Sequence, residues 1–229
     1  MIRGRALQFL RRVAAIVEKD IAAELHSKEV VSAMLVFSVV ALMIFSFALD
    51  LRGEMAEAAA PGVLWATVVF AGTLGLSRSL AREQQSGGME GLLLAPVDRS
   101  AIFFGKAAGN FVFMGVVEVA LLPLFSALFD VPLLRADVLL VLVLGTVGYA
   151  AVGTLLAAMA VNTRAREVML PVLLLPLAVP VLIGAVQATR GLVEGATLAE
   201  VGSWIRILVV YDLVIVAVSL LTFGSVVEE

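Results

Sequence analysis

Few residues of this 229-residue chain are equipped for chemistry, and those few lie in unusual surroundings. Glu118 and Asp212 each fall inside a long apolar run, where an ionisable group costs at least about 2.5 kcal/mol unless it is paired or hydrated. Asn110 precedes Glu118 by eight residues and Pro123 follows it by five, so one side of that helix can present a polar strip. The strip would serve either a translocation path or a hydrogen bond to a neighbouring helix. Asp212 lies nearer one end of its run, where water can reach it. Pro171, Pro176 and Pro180 share another apolar run. Each removes a backbone donor and opposes the carbonyl four residues back, which predicts a bent or broken helix, acting as a moving part or as a fixed kink.

Several chemistries are excluded. A phosphate-cradling loop requires glycines and a lysine followed by Ser or Thr, and the nearest approach, Gly105-Lys106-Ala107, lacks both the hydroxyl and the upstream glycine. ATP, if used, must be bound elsewhere. His26 is the sole histidine, so no His-Glu-x-x-His zinc site exists, and no Gly-x-Ser-x-Gly elbow supports a serine hydrolase. With no cysteine there is no disulfide and no thiolate metal site. The net charge of −3 argues for no charged partner, nucleic acid included.

The elements that carry these residues are set by composition. Hydrophobic residues make up 62% of the chain and charged residues 15%, against about 45–50% and about 25% in ordinary globular domains, and the mean hydropathy is +1.08. Runs near 29–49, 61–77, 101–129, 138–161, 168–188 and 204–226 supply the roughly 20 apolar residues that a transmembrane helix needs. None alternates as a barrel strand would. The expected fold is an all-α integral membrane protein, a single domain over 1–229 with six spans.

Lysine and arginine orient it, because cytoplasmic loops keep an excess of them. With the N-terminus inside, twelve fall on the cytoplasmic side (Arg3, Arg5, Arg11, Arg12, Lys19, Lys28, Arg78, Arg82, Arg99, Lys106, Arg164, Arg166) and four outside (Arg52, Arg135, Arg190, Arg206). Both termini are then cytoplasmic, and Trp65 and Trp204 fall near outer helix ends, where amphipathic rings prefer the interface.

Residues 1–28 form an amphipathic lead-in. Leu7, Leu10, Ala14, Val17, Ile21 and Leu25 recur at spacings of three and four, with Arg12, Lys19 and His26 on the opposite side. A helix along the membrane surface suits this pattern, and a helix packed on other subunits is the alternative. Between the second and third spans, Arg82 to Asp98 is the longest cytoplasmic connection: Gly87-Gly88 breaks the chain, Met89 to Ala95 favours a short helix, and Pro96 ends it. Such a helix either docks in a groove of another protein and transmits its movement or merely covers the inner ends of the spans. In the third span Gly105 and Gly109, and in the fourth Gly145, Gly148 and Gly153, permit close helix contact.

Three stretches together resemble a known family: Ala60-Pro61-Gly62-Val63-Leu64-Trp65, the loop from Leu80 to Arg99 with Glu90-Gly91-Leu92-Leu93-Leu94-Ala95-Pro96 at its centre, and the triple-proline run from Leu170 to Ile183. They are similar to the haem exporter B (CcmB) family, the ABC-type permease of cytochrome c maturation. The resemblance implies a subunit of the bacterial inner membrane that pairs with a separate CcmA-like ATPase, CcmC-like and CcmD-like membrane subunits, a CcmE-like haem chaperone and a second copy of itself. It further implies that the loop is a coupling helix touching the ATPase through Glu83, Glu90, Leu92, Leu93 and Pro96. No cofactor is expected on this chain; ATP belongs to the partner, and haem is a substrate or is partner-bound. Met34, Met43, Met114 and Met159 are the only soft ligands inside the membrane, and packing is their default use. Two other readings stay open: a similar permease for a lipid, polysaccharide or drug, and a non-transporting scaffold that relays ATPase motion to a haem-handling partner.

Overall fold

A computed structural model describes residues 2–48, 54–85, 87, 88, 91, 94, 95, 97–160 and 166–228. Among them seven α-helices follow one another: α1 (Ile2–Ser27), α2 (Glu29–Ala48), α3 (Glu54–Gln85), α4 (Arg99–Phe129), α5 (Ala136–Ala160), α6 (Arg166–Val193) and α7 (Gly202–Glu228). The helices α2 to α7 include six segments long and apolar enough to cross a membrane, so the all-α multi-pass architecture expected from composition is present.

One span runs far beyond its expected bounds. α3 begins at Glu54 and carries Pro61 inside it, and its 32 residues extend about 48 Å, well beyond a hydrocarbon core of about 30 Å. Its last turns, rich in Ser, Arg, Glu and Gln, therefore project past the apolar slab. α4, with 31 residues, overshoots in the same way at its start. α6 is continuous through Pro171, Pro176 and Pro180 and is not broken. It packs against α3, α5 and α7, and Tyr211 Oη donates to Leu177 O at 2.8 Å inside the turn that Pro180 disturbs.

α5 is the central helix, packed by α3, α4, α6 and α7. Its small residues make this possible, since each receives a large neighbour: a methyl on Gly145 would overlap the Trp65 ring, one on Gly148 the Asp212 carboxylate, and one on Gly153 the Leu76 side chain. Trp65 is consequently buried and donates from Nε1 to Thr189 Oγ1 at 3.0 Å, so its ring points into the bundle. Trp204 is half-buried.

α1 runs parallel to the first half of α4, with Phe9 against Phe104, Ile16 against Gly105 and Asp20 against Gly109. Phe9, Ile16 and Asp20 face α4, whereas Leu7, Leu10 and Leu25 are exposed. Lys28, in the left-handed region at φ 55°, makes the break that lets α2 continue alongside. Replacing Gly145 with Ala is expected to cost about 1–3 kcal/mol by overpacking against Trp65. The exposed Gly62→Ala, with nothing within 4 Å of the added methyl, should be neutral or stabilising; thermal unfolding in detergent compares the two.

Candidate functional site

The principal charged assembly forms where α1, the end of α3 and the start of α4 converge. Gly105 and Gly109 leave a bare stripe one turn apart on α4, and a Cβ at Gly105 would come within 2.7 Å of Ile16. That absence of side chain brings Asp20 of α1 onto Lys106. Lys106 Nζ lies 3.0 Å from both Asp20 carboxylate oxygens and also contacts Glu83 Oε2. Lys19 Nζ completes the assembly at 3.2 Å from Asp20 and 3.2 Å from Glu83. The side chains of Lys106, Asp20 and Glu83 are only 9%, 15% and 12% exposed, so each charge depends on the others for its lost hydration.

Further pairs extend this knot. Arg82 Nη1 reaches Glu24 at 2.8 Å, and Glu24 also accepts from the Val31 N–H at 2.8 Å. Arg12 Nη1 pairs with Asp98 at 2.7 Å, an exposed contact worth at most about 1 kcal/mol. α1 is thereby fastened to Arg82 and Glu83 on one side of the 86–98 segment and to Asp98 on the other. Partial burial opposes the charge on Lys19, yet Asp20 and Glu83 outweigh it and hold its ammonium above the ordinary lysine range. A raised lysine stabilises the fold below its unfolded pKa, so this contribution is complete at neutral pH and fades only in strongly alkaline solution.

Inside the spans, polar groups pair across helices. Asn110 Nδ2 donates to Thr154 Oγ1 at 2.9 Å, Thr146 Oγ1 donates to Glu118 Oε1 at 2.5 Å, and Thr73 and Tyr149 share a hydrogen bond of 2.6 Å. Asn110 and Glu118 both turn toward α5, as a polar strip would, and both are occupied there by threonines. A void of about 30 Å³ separates the Asn110–Thr154 pair from Glu83 and Lys106, enough for a water molecule and far below the roughly 300 Å³ of the smallest ligand pockets. Asp212 is largely buried, with its carboxylate against Gly148. Its Oδ1 has no hydrogen-bond partner among the described residues.

Of the loop residues expected to touch an ATPase, Glu90, Leu92, Leu93 and Pro96 lie outside the described residues. Gly87 ends α3 in a left-handed turn, Gly91 N donates to Gly87 O at 3.0 Å, and Gly88, Gly91 and Leu94 have helical backbone. Leu94 is 88% exposed. Glu83 turns its carboxylate into the knot, onto Lys106 and Lys19. Asp20, Lys106, Lys19, Glu24 and Arg12 were not legible as a site. The available signal was Lys106 itself, a lone cation in the apolar run Ile102 to Val117 that demands a carboxylate from outside its own helix.

Lys106→Met should leave Asp20 and Glu83 with the more exposed Lys19 as their remaining counter-charge and destabilise the protein by about 3 kcal/mol. Adding Glu83→Gln to Lys106→Met should recover part of that loss, measured by thermal unfolding in detergent.

Comparison with known proteins places this arrangement. The chain is 32% identical to a protein of Rhodobacter capsulatus named heme exporter protein B, over 70% of this chain and 74% of the relative. It is 30% identical to the heme exporter protein B of Pseudomonas aeruginosa, over 68% and 71%, and 25% identical to that of Bradyrhizobium diazoefficiens, over 80% and 83%. Residues 11–228, from α1 through α7, match the family described as CcmB protein, and the chain belongs to that family.

Proposed function

We propose that this chain is the permease subunit of an ABC transporter complex that handles or exports haem for cytochrome c biogenesis, driven by an ATPase on a separate subunit. The family match over residues 11–228 carries the reading. The knot supports it mechanically, because a push on the 86–98 segment reaches Glu83 and Asp98 first, and from there α1 and α4 through charged contacts. Partners follow the same reading: a CcmA-like ATPase docked on Leu92 and Leu93, CcmC-like and CcmD-like membrane subunits, a CcmE-like haem chaperone, and a second copy of this chain. The excess of Lys and Arg at the end bearing the knot supports placement of that end, and of both termini, in the cytoplasm of a bacterial inner membrane.

A relay without passage through this single chain is the second reading. One observation favours it: Asn110, Glu118 and Thr73 are each consumed by a partner helix, so any route for substrate would lie between copies or subunits and not within one bundle.

Replacing Leu92 and Leu93 with Asp removes two apolar anchors of about 2 kcal/mol each from the docking contact, roughly a thousandfold in affinity. Cytochrome c production in a strain complemented with this variant should collapse while the protein stays inserted in the membrane. Wild-type cytochrome levels would remove the coupling role.

A further inference from the structure

A groove of about 350 Å³ opens where α1, α2 and α4 meet. Ile21 and Leu25 of α1, Val31 and Leu35 of α2, and Val112 and Val116 of α4 make its walls apolar. Lys28 stands at the rim, one residue before the first apolar span begins at Glu29. That is the level at which lysines present their ammonium to lipid headgroups.

The charges around Lys28 decide what the rim attracts. Glu24 is held by Arg82 at 2.8 Å and by the Val31 N–H at 2.8 Å, and Glu29 is paired with Arg78 at 3.5 Å. Both nearby carboxylates thus have cations or donors of their own. Among the described residues the Lys28 ammonium has no ion-pair partner, although its backbone is fully engaged, with Lys28 N donating to Glu24 O and Lys28 O accepting from Ser32 Oγ. An apolar trough with one unneutralised cation at its mouth selects an amphiphile with a hydrocarbon tail and a negative head.

An alkyl chain is thin enough to enter. We propose that the groove binds an anionic phospholipid, with one acyl tail lying between α1, α2 and α4 and its phosphate paired with Lys28. The lipid ties the outward apolar side of α1 to the bundle, complementing the ion pairs on its inner side. This site depends on the membrane location of the chain and not on its assignment to haem handling.

Native mass spectrometry of the full-length protein in detergent, after exchange into equal amounts of phosphatidylglycerol and phosphatidylcholine, tests the site. Wild-type protein should retain phosphatidylglycerol in about fivefold preference, the worth of one basic side chain at a headgroup. Lys28→Gln, which keeps the same backbone turn, should abolish the preference. Val116→Trp, placed at a half-exposed position and directed into the groove, should reduce retention of both lipids. A preference that survives Lys28→Gln, retention unchanged in Val116→Trp, no retained lipid in the wild type, or a polypeptide retained in its place would each overturn the proposal.

Discussion

A buried ammonium is tolerable only while carboxylates stay within contact distance, and Lys106 meets that condition through Asp20 and Glu83, which come from two other helices. The requirement fixes more than one side chain. It draws the lead-in helix onto α4, where Gly105 and Gly109 clear the space, and it pins the projecting end of α3 to the projecting start of α4. Beneath the charges, Ile16, Phe103 and Phe223 form a separate apolar cluster with α5, so the same end of the bundle is held by packing as well as by charge. The helices that flank the 86–98 segment are thereby joined to α1, to each other and to the last span.

The middle of the bundle follows a different rule. Lipid offers no partner to a polar atom, so hydroxyl, amide and carboxyl groups of the spans must find one another. α5 organises this, with Thr146, Tyr149 and Thr154 serving Glu118, Thr73 and Asn110 while its glycines accept Trp65, Leu76 and Asp212 from the helices around it. The result is a core in which several polar groups lock helices together, while among the described residues Ser38 Oγ, Asp212 Oδ1 and Ser219 Oγ are buried without a hydrogen-bond partner.

The six spans were legible because hydrocarbon thickness and hydropathy constrain them strongly, and Leu7, Leu10 and Leu25 of the apolar stripe are exposed on α1. What the sequence withheld were pairings across long separations. Asp20 and Lys106 are 86 residues apart and Glu83 and Lys106 are 23 apart, and no local spacing announces either contact. That Trp65 would point into the bundle and that α6 would stay continuous through its prolines depend on neighbouring helices, which local tendencies do not reveal. Glu118 and Asn110 were recognisable as residues needing explanation, though not that threonines of α5 would answer them.

These features describe a bundle in which one end, built from α1, the last turns of α3 and the first turns of α4, acts as a single body behind the 86–98 segment. The natural absence of cysteine allows spin labels to be placed without background. The direct measurement is electron–electron distance between labels at the exposed positions Leu10 and Gln85, and between Gln85 and Leu134 at the opposite end, in the complex with its ATPase, with and without bound ATP. A single body predicts an unchanged Leu10–Gln85 distance while Gln85–Leu134 shifts. A Leu10–Gln85 distance that changes with nucleotide, with Gln85–Leu134 constant, would contradict it.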